Sequence, residues 1–261
     1  MHYLRNILCL LVFIIGSAFV PGQRTFEEQQ KLNERVNAAW DRKSELINMR
    51  CRTMEIPEET FGKMLIRVFK AEGIMEIWVE KPDGKFVKFN EIKIYAASGK
   101  LGPKRCQGDC QVPEGYYYVN DFNPNSNYYL SLGINYPNES DIILSTAPHK
   151  GNDIYIHGAR CSAGCMAMSN YYIEDIYICA VKARSGGQQK IPVWIYPFKP
   201  TPINIAFYNQ YADCKPWDKL WRNLAQGYQF FEKYKRLPDI AVDSYGYYHF
   251  SDPFKAQAVI K

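Results

Sequence analysis

The residues best suited to chemistry in this sequence are a histidine and a cysteine eight positions apart, His157 and Cys165. His157 closes the alternating apolar run Asp153–His157, a pattern that predicts a β-strand, and Cys165 lies among small residues. A thiol is a weak nucleophile until it loses its proton, and an imidazole on a neighbouring rigid strand accepts protons at neutral pH. The pattern therefore predicts a Cys/His nucleophilic site. The alternative is an inert core cysteine, because free cysteine is among the most buried residue types.

The residues around this pair are small enough to let a substrate approach. Ala163 and Gly164 precede Cys165, and their backbone N–H groups are candidates for an oxyanion hole, which needs donors close to the substrate carbonyl. Ser162 is expected either to hydrogen-bond the substrate or to hold the loop. Gly158 is expected to let the substrate backbone approach the histidine.

Cysteine usage bears on the state of this site. The sequence has 8 cysteines, of which Cys9 lies in an N-terminal apolar stretch. If Cys165 stays free, six remain, and fifteen pairings are open among Cys51, Cys106, Cys110, Cys161, Cys179 and Cys214. Cys106 and Cys110 flank a tight turn that could bring them within bridging distance.

A zinc site and a redox gate are alternatives built from the same side chains. A zinc site would use Cys106, Cys110, His157, Cys161 and Cys165, but their spacing matches no common zinc ribbon or finger. A Cys161–Cys165 disulfide would instead block the nucleophile by oxidation. We predict a site without a metal or a cofactor.

The N-terminus has the composition of a secretory signal peptide. Arg5 is followed by an apolar stretch, Ile7–Ile15, and then by small residues. A membrane-spanning helix needs about 20 apolar residues, more than this stretch or any other in the sequence provides. We predict cleavage between Ala18 and Gln23, and a periplasmic protein with no transmembrane segment in its mature chain. Cys9 lies too early to be a lipoprotein cysteine.

The charge of the chain is mildly positive and dispersed. The formal net charge is +5, from 32 Lys and Arg and 27 Asp and Glu residues. The sequence contains no basic stripe and no nucleic-acid motif, so nucleic acid is not an expected partner. The charge instead suits solubility or attraction to an anionic wall polymer.

The predicted elements place the two reactive residues at the end of a sheet. Period-two patterns predict strands over 64–69, 75–80, 85–89, 91–97, 115–120, 128–132, 141–145, 153–157 and 192–197. Helical spacing predicts an amphipathic helix over 26–50, a helix capped by Asn170 that stops at Gly186, and a C-terminal helix with a stripe from Trp217 to Phe231. Short antiparallel hairpins with peripheral helices predict an α+β fold with a curled β-sandwich or barrel-like sheet.

Five blocks of the sequence, taken in order, resemble one family. They are Ser98–Lys104 (SGKLGPK), Gln111–Tyr117 (QVPEGYY), Asn123–Ser126 (NPNS), Leu132–Pro137 (LGINYP) and His157–Cys165. The chain resembles the L,D-transpeptidase catalytic domain family (YkuD type), and within it the YafK-like branch, between positions 65 and 198. The resemblance implies the mainly antiparallel L,D-transpeptidase catalytic fold. We therefore expect a signal peptide over 1–22, an N-terminal amphipathic helical segment over 23–60, the catalytic domain over 61–200 and a C-terminal helical extension packed on it over 201–261.

The resemblance also implies a reaction at Cys165. In the family, a cysteine thiolate attacks a peptidoglycan stem peptide at the diaminopimelate residue that precedes a terminal D-alanine. The resulting thioester is resolved by an amine from a second stem or from a lysine, and His157 would be the general base for both halves. The implied partners are peptidoglycan stem peptides and a wall-linked lipoprotein.

Two positions beside the nucleophile depart from the broad family pattern. Most members have a second histidine two residues before the cysteine and an arginine two residues after it, where this chain has Ala163 and Ala167. The YafK-like branch tolerates both changes. Two alternatives to a transpeptidase stay open: an L,D-amidase or carboxypeptidase that trims stems or releases wall-linked protein, and a non-catalytic wall-binding module.

Overall fold

The computed structural model describes residues 24–59 and 61–254. Its helices are α1 Phe26–Lys31, α2 Glu34–Thr53, α3 Glu139–Leu144, α4 Ser169–Ser185, α5 Pro202–Tyr208 and α6 Asp218–Tyr234. Its strands are β1 Met64–Phe69, β2 Ile74–Glu80, β3 Phe86–Lys93, β4 Ala96–Ala97, β5 Gly115–Asn123, β6 Ser131–Ile134, β7 Tyr155–His157, β8 Met166–Ala167, β9 Pro192–Tyr196, β10 Asp239–Val242 and β11 Tyr248–Ser251. The predicted signal peptide and its cleavage region lie outside the described residues.

Nine of these strands form one sheet, in the order β3-β2-β1-β9-β5-β6-β7-β8-β4. Neighbouring strands are antiparallel except for two parallel pairs, β1 with β9 and β7 with β8. The register of β5 against β6 shifts between Val119 and Asp121, and such a bulge bends a strand and increases its twist. The predicted α+β fold, with a mainly antiparallel curled sheet and peripheral helices, is confirmed.

The central strand β1 shows why helices cover both faces of the sheet. All six of its residues are buried, and alternate residues belong to separate cores. Met64, Ile66 and Val68 join the core that includes α2 and α4, whereas Leu65 and Phe69 join an aromatic core that includes α6. As expected for a strand that is buried on both faces, β1 is apolar apart from Arg67, which is buried in ion pairs with Glu76 and Glu232. The sheet is therefore the middle layer of the fold.

The N-terminal segment forms two helices rather than the single helix predicted over 26–50. The side chain of Asn33 accepts a hydrogen bond from the backbone N–H of Arg35, so Asn33 caps α2 and separates it from α1. Helix α2 then buries Val36 and Ile47 in the core that it shares with α4. The amphipathic pattern is correct, but the cap interrupts it.

The strand predicted over 141–145 is wrong, because helix α3 covers most of this segment. Asn138 and Asp141 form a reciprocal capping box, in which each side chain accepts a hydrogen bond from the other residue's backbone N–H. This local signal outweighs the apolar run at 142–144 on which the strand prediction rests. The strand predicted over 91–97 is also divided, since 91–93 end β3 and only Ala96–Ala97 pair with β8.

A buried polar cluster fixes the C-terminal helix α6 to the sheet. The carboxylate of Glu114, a residue 1% exposed, accepts hydrogen bonds from the Lys70 ammonium, the Gly102 amide and the Trp221 indole, each at 2.8 Å. Helix α5 and the β10–β11 hairpin, which the sequence analysis does not predict, complete this side of the molecule. Within residues 24–59 and 61–254, no helix is long and apolar enough to span a membrane.

Candidate active site

Strands β7 and β8 bring the predicted reactive pair together. They run parallel, with His157 opposite Ala167. Continuing this register by two residues places Tyr155 opposite Cys165. Side chains two apart on a strand point to the same face, so His157 and Cys165 lie on one side of the sheet.

His157 and Cys165 line the same open cleft, which has a volume of about 490 Å³. Of the other residues singled out from the sequence, Ser162 and Ala163 also line the cleft, whereas Gly158 and Gly164 are buried beside it. Two tyrosines and Cys161 also contribute to the lining, and the rest is polar: Asn123, Ser126, Asn127, Ser131 and Asp153.

His157 is buried and is held in one tautomer. The residue is 2% exposed, and its Nδ1 atom lies 2.5 Å from the carbonyl oxygen of Gly158. Because a carbonyl oxygen only accepts hydrogen bonds, Nδ1 carries the proton. Burial lowers the pKa of His157, against the opposing effect of the Gly158 carbonyl, and the ring of Tyr128 lies over the imidazole with the ring centroids 4.6 Å apart. Nε2 is therefore unprotonated and able to accept a proton.

The Cys165 thiol is held by backbone atoms rather than by the imidazole. Its Sγ accepts a hydrogen bond from the Tyr155 amide at 3.4 Å and donates one to the Asp153 carbonyl at 3.6 Å. Burial raises the pKa of Cys165, an effect reinforced by the Asp153 carboxylate and opposed by the Tyr155 amide and the Lys104 ammonium. The resting site is therefore a neutral thiol beside a neutral imidazole, and the thiol must turn away from the Asp153 carbonyl to give its proton to Nε2.

Two serine hydroxyls fix the loop that carries the cysteine. The Ser98 hydroxyl accepts a hydrogen bond from the Gly164 amide at 2.6 Å and donates one to the Cys110 carbonyl at 2.8 Å. The Ser162 hydroxyl accepts from the Ser98 amide at 3.2 Å and donates to the Cys165 carbonyl at 2.6 Å. Ser162 therefore holds the loop, which is one of the two roles predicted for it.

The two predicted oxyanion donors differ in their surroundings. The Gly164 amide is occupied by Ser98, and a Cβ at Gly164 would lie 3.1 Å from the Gln111 carbonyl oxygen, so this position needs the small size of glycine. Its φ of +108° also favours glycine. The Ala163 amide, in contrast, donates to no acceptor within the described part of the chain, and Ala163 lines the cleft. Ala163 is therefore the better candidate donor for a substrate oxygen.

Gly158 is required by close packing behind the histidine. A Cβ at this position would lie 2.6 Å from the Tyr128 carbonyl oxygen and 2.7 Å from Oδ1 of Asn170. Asn170 is not the helix cap predicted from the sequence, because α4 has Met168 at its N-cap position and no side-chain cap. The Asn170 side chain instead accepts a hydrogen bond from the Ala159 amide at 2.8 Å, and so supports the loop after His157.

The cysteines outside the reactive pair form no bridge in the structure. All seven cysteines of the described residues are free thiols. The turn between Cys106 and Cys110 is organised by the carboxylate of Asp109, which accepts hydrogen bonds from backbone amides on both sides of it. Within residues 24–59 and 61–254, no three His, Cys, Asp or Glu side chains converge as metal ligands. The zinc alternative therefore has no geometric support.

Three side chains at the site are not identified by sequence reasoning. Ser98 is 64 residues from Ser162 and is marked only by its place in the SGKLGPK block. Asp153 is visible only as the first residue of the run that ends in His157. Nothing in the sequence singles out Tyr128 among 20 tyrosines.

The sequence matches a known protein family, and the chain is similar to several known proteins. The family model described as YkuD, the L,D-transpeptidase catalytic domain, matches residues 74–205. The Escherichia coli K12 protein named "Putative L,D-transpeptidase YafK" is 34% identical over 208 residues, which cover 78% of this chain and 81% of that protein. The helical cell shape determining protein Pgp2 of Campylobacter jejuni is 19% identical, with a TM-score of 0.42 over 76% of this chain and 80% of Pgp2. Its K307A mutant is 25% identical, with a TM-score of 0.41 over 53% of this chain and 49% of that chain.

Proposed function

The chain belongs to the L,D-transpeptidase catalytic domain family, and from this premise we propose that it is a peptidoglycan-modifying cysteine enzyme that works through a thioester at Cys165. The observation that carries the proposal is that Cys165 and His157 line one open cleft, with Nε2 of His157 unprotonated. We place its action in the periplasm, after export by the N-terminal signal peptide, in the synthesis or remodelling of the cell wall.

The first half of the reaction forms the thioester. The Cys165 proton passes to Nε2 of His157 as Sγ attacks the carbonyl carbon of the diaminopimelate residue in a stem peptide. The Ala163 amide is placed to donate a hydrogen bond to the oxygen that becomes negative. When the C–N bond breaks, the proton on Nε2 passes to the nitrogen of the departing D-alanine.

The second half transfers the acyl group to an amine. An amine from a second stem peptide, or from a lysine of a wall-linked lipoprotein, loses its proton to Nε2 and attacks the thioester carbon. The C–S bond breaks, and the thiolate takes the proton back from His157. The product is a new amide bond, and the enzyme returns to its neutral thiol and imidazole.

Hydrolysis by the same route is a second candidate, favoured by one specific observation. Among the described residues that line the cleft there is no lysine or arginine, and Ala167 places a methyl group opposite His157 in the sheet. An acceptor stem carries carboxylates that a cation would hold, so its binding is weakened here and water competes for the thioester. The enzyme would then trim stems or release wall-linked protein.

Mass analysis of the products from a disaccharide tetrapeptide separates these reactions. Loss of D-alanine together with a cross-linked dimer, both absent with Cys165→Ala, is the result expected of a transpeptidase. Loss of D-alanine without a dimer assigns hydrolysis. Binding of the peptide with neither product, and with equal affinity for Cys165→Ala, would replace both reactions by a wall-binding role.

A further inference from the structure

Asp153 occupies an unusual position beside the nucleophile. The residue is exposed, lines the cleft with Cys165 and His157, and has a backbone φ of +59°. Left-handed conformations are uncommon for residues other than glycine, and they cluster at functional sites. Its carbonyl oxygen holds the Cys165 thiol at 3.6 Å, so the left-handed turn at Asp153 is part of the geometry of the nucleophile.

The Asp153 carboxylate has no partner of its own. Within residues 24–59 and 61–254 it makes no ion pair and accepts no hydrogen bond, and it is the only acidic side chain that lines the cleft. The nearby Lys104 ammonium is engaged elsewhere, by the Asp109 carboxylate at 2.6 Å and the Cys106 carbonyl at 2.8 Å. A substrate that covers the cleft would strip water from a bare carboxylate, which is unfavourable unless the substrate brings a compensating charge.

The same carboxylate opposes the formation of the thiolate. Its negative charge adds to burial in raising the pKa of Cys165. A substrate cation seated on Asp153 would neutralise this charge and make the thiol easier to deprotonate when substrate is bound. Binding and activation of the nucleophile would then be coupled.

The position of Asp153 relative to strand β7 indicates which part of the substrate would carry this cation. Asp153 lies two residues before the strand begins, His157 ends it, and the register places Cys165 opposite Tyr155 between them. The leaving and attacking nitrogens must meet Nε2 at the His157 end of the cleft. A group that reaches Asp153 therefore belongs to the acyl donor, on the side away from the bond that breaks.

We propose that the Asp153 carboxylate binds a primary ammonium carried by the side chain of the acyl-donor residue. This inference rests on the proposed function, in which the donor is diaminopimelate, a residue with a second amine outside the peptide backbone. Asp153 is a specificity-determining residue that selects donors by this charge.

The test measures D-alanine release with a separate amine acceptor at one fixed concentration. It compares two tetrapeptide donors, one with this side-chain amine free and one with it acetylated, on the wild type and on Asp153→Asn. Asparagine tolerates the left-handed backbone and keeps the shape of the side chain, so the substitution removes mainly the charge. With the wild type, acetylation is expected to lower kcat/KM about tenfold or more, the size of one lost charge-assisted hydrogen bond. With Asp153→Asn the two donors are expected to react within about twofold of each other. Asp239→Asn, an exposed acid on the β10–β11 hairpin, is the matched control and should keep the wild-type preference.

Two further measurements separate this inference from the proposed function. Affinities of both peptides for Cys165→Ala, with and without Asp153→Asn, report ammonium binding even if no thioester forms. Alkylation of Cys165 by iodoacetamide in the absence of peptide should be faster with Asp153→Asn at the same pH. The inference is overturned if the preference for the free amine survives Asp153→Asn in both kinetics and binding. It is also overturned if the two peptides bind Cys165→Ala equally. A peptide that binds with this preference but never reacts overturns the proposed function alone.

Discussion

The hydroxyls of Ser98 and Ser162 lie 3.2 Å apart and join two segments that are 64 residues distant in the chain. Through this contact the SGKLGPK block is connected to the loop of the nucleophile, because Ser98 also holds the Gly164 amide and Ser162 holds the Cys165 carbonyl. The backbone on both sides of the thiol is therefore set by side chains that do not react.

Replacing Ser162 by alanine should reduce catalysis more than stability. The change removes hydrogen bonds to the Ser98 amide and the Cys165 carbonyl, and a loop that shifts the thiol should lower kcat about tenfold or more. The free energy of unfolding should fall by about 1–3 kcal/mol, the usual net contribution of two hydrogen bonds. Steady-state kinetics and thermal denaturation measure the two effects. Ser251→Ala, on an exposed strand, is the control, and equal kcat for the two variants would contradict a positioning role for Ser162.

The pH dependence of alkylation and of kcat/KM should show that Cys165 and His157 are both neutral before substrate binds. The pKa of Cys165 is raised mainly by burial, and the pKa of His157 is lowered by burial. The rate of Cys165 alkylation should therefore keep rising with pH beyond the range in which an ordinary free thiol titrates. The fall of kcat/KM on the acid side should occur at a lower pH than an ordinary imidazole would give. Ultraviolet absorbance of the thiolate, with Cys165→Ala as the blank, follows the first titration. A thiolate that is fully formed at neutral pH would show a preformed ion pair instead.

Gly158→Ala should disturb His157, the proposed base, without contacting Cys165. The added Cβ would lie 2.6 Å from the Tyr128 carbonyl oxygen and 2.7 Å from Oδ1 of Asn170, so the loop after His157 must move. We expect a loss of about 1–3 kcal/mol in the free energy of unfolding together with a lower kcat. Gly187→Ala is the comparison, because its Cβ would meet nothing within 4 Å and only the backbone conformation is affected. A Gly158→Ala variant that is as active and as stable as the wild type would mean that the packing behind His157 is loose.

Glu114→Gln should destabilise the whole fold. The substitution removes the charge that the buried Lys70 ammonium pairs with, while the shape of the side chain is kept. Leaving one member of a buried pair uncompensated typically lowers the free energy of unfolding by about 3–5 kcal/mol. Denaturant unfolding measures the change. Asp213→Asn should alter the midpoint little, since its ion pair with Lys100 is 80% exposed on both sides, and similar effects of the two substitutions would contradict a structural role for the Glu114 cluster.

The proximity of His157 and Cys165 can be predicted from the sequence because the two residues are close in the chain. Cys165 comes eight positions after His157, and the alternating run before His157 already indicates a strand. Ser98 cannot be found in this way, because its contact with Ser162 depends on tertiary structure. The role of the Gly158 carbonyl, which fixes the tautomer of His157, cannot be recognised from the sequence either, since every residue has a carbonyl group.

The errors in the predicted fold have local causes. The apolar residues 142–144 resemble a strand, but the capping box of Asn138 and Asp141 starts a helix there. Asn170 has the chemistry of a helix cap, but its side chain is used by the Ala159 amide. The deciding interactions are the two reciprocal hydrogen bonds of the capping box in the first case and one side-chain hydrogen bond in the second. Strand β1, in contrast, has the predicted bounds because its apolar run, interrupted only by Arg67, leaves little choice.

The strands of the nine-stranded sheet differ in length, and the short strands are expected to open locally before the long ones. Strands β1, β2, β3, β5 and β9 contain five to nine residues, whereas β7, β8 and β4 contain three, two and two. Backbone amides in short peripheral strands exchange with solvent through small openings of the structure, while those of long central strands exchange only when the whole domain unfolds. We therefore expect the sheet to open most readily around His157 and around Cys165, which directly precedes β8. A peptide bound across the cleft would slow the exchange of these amides first and leave the far half of the sheet unchanged.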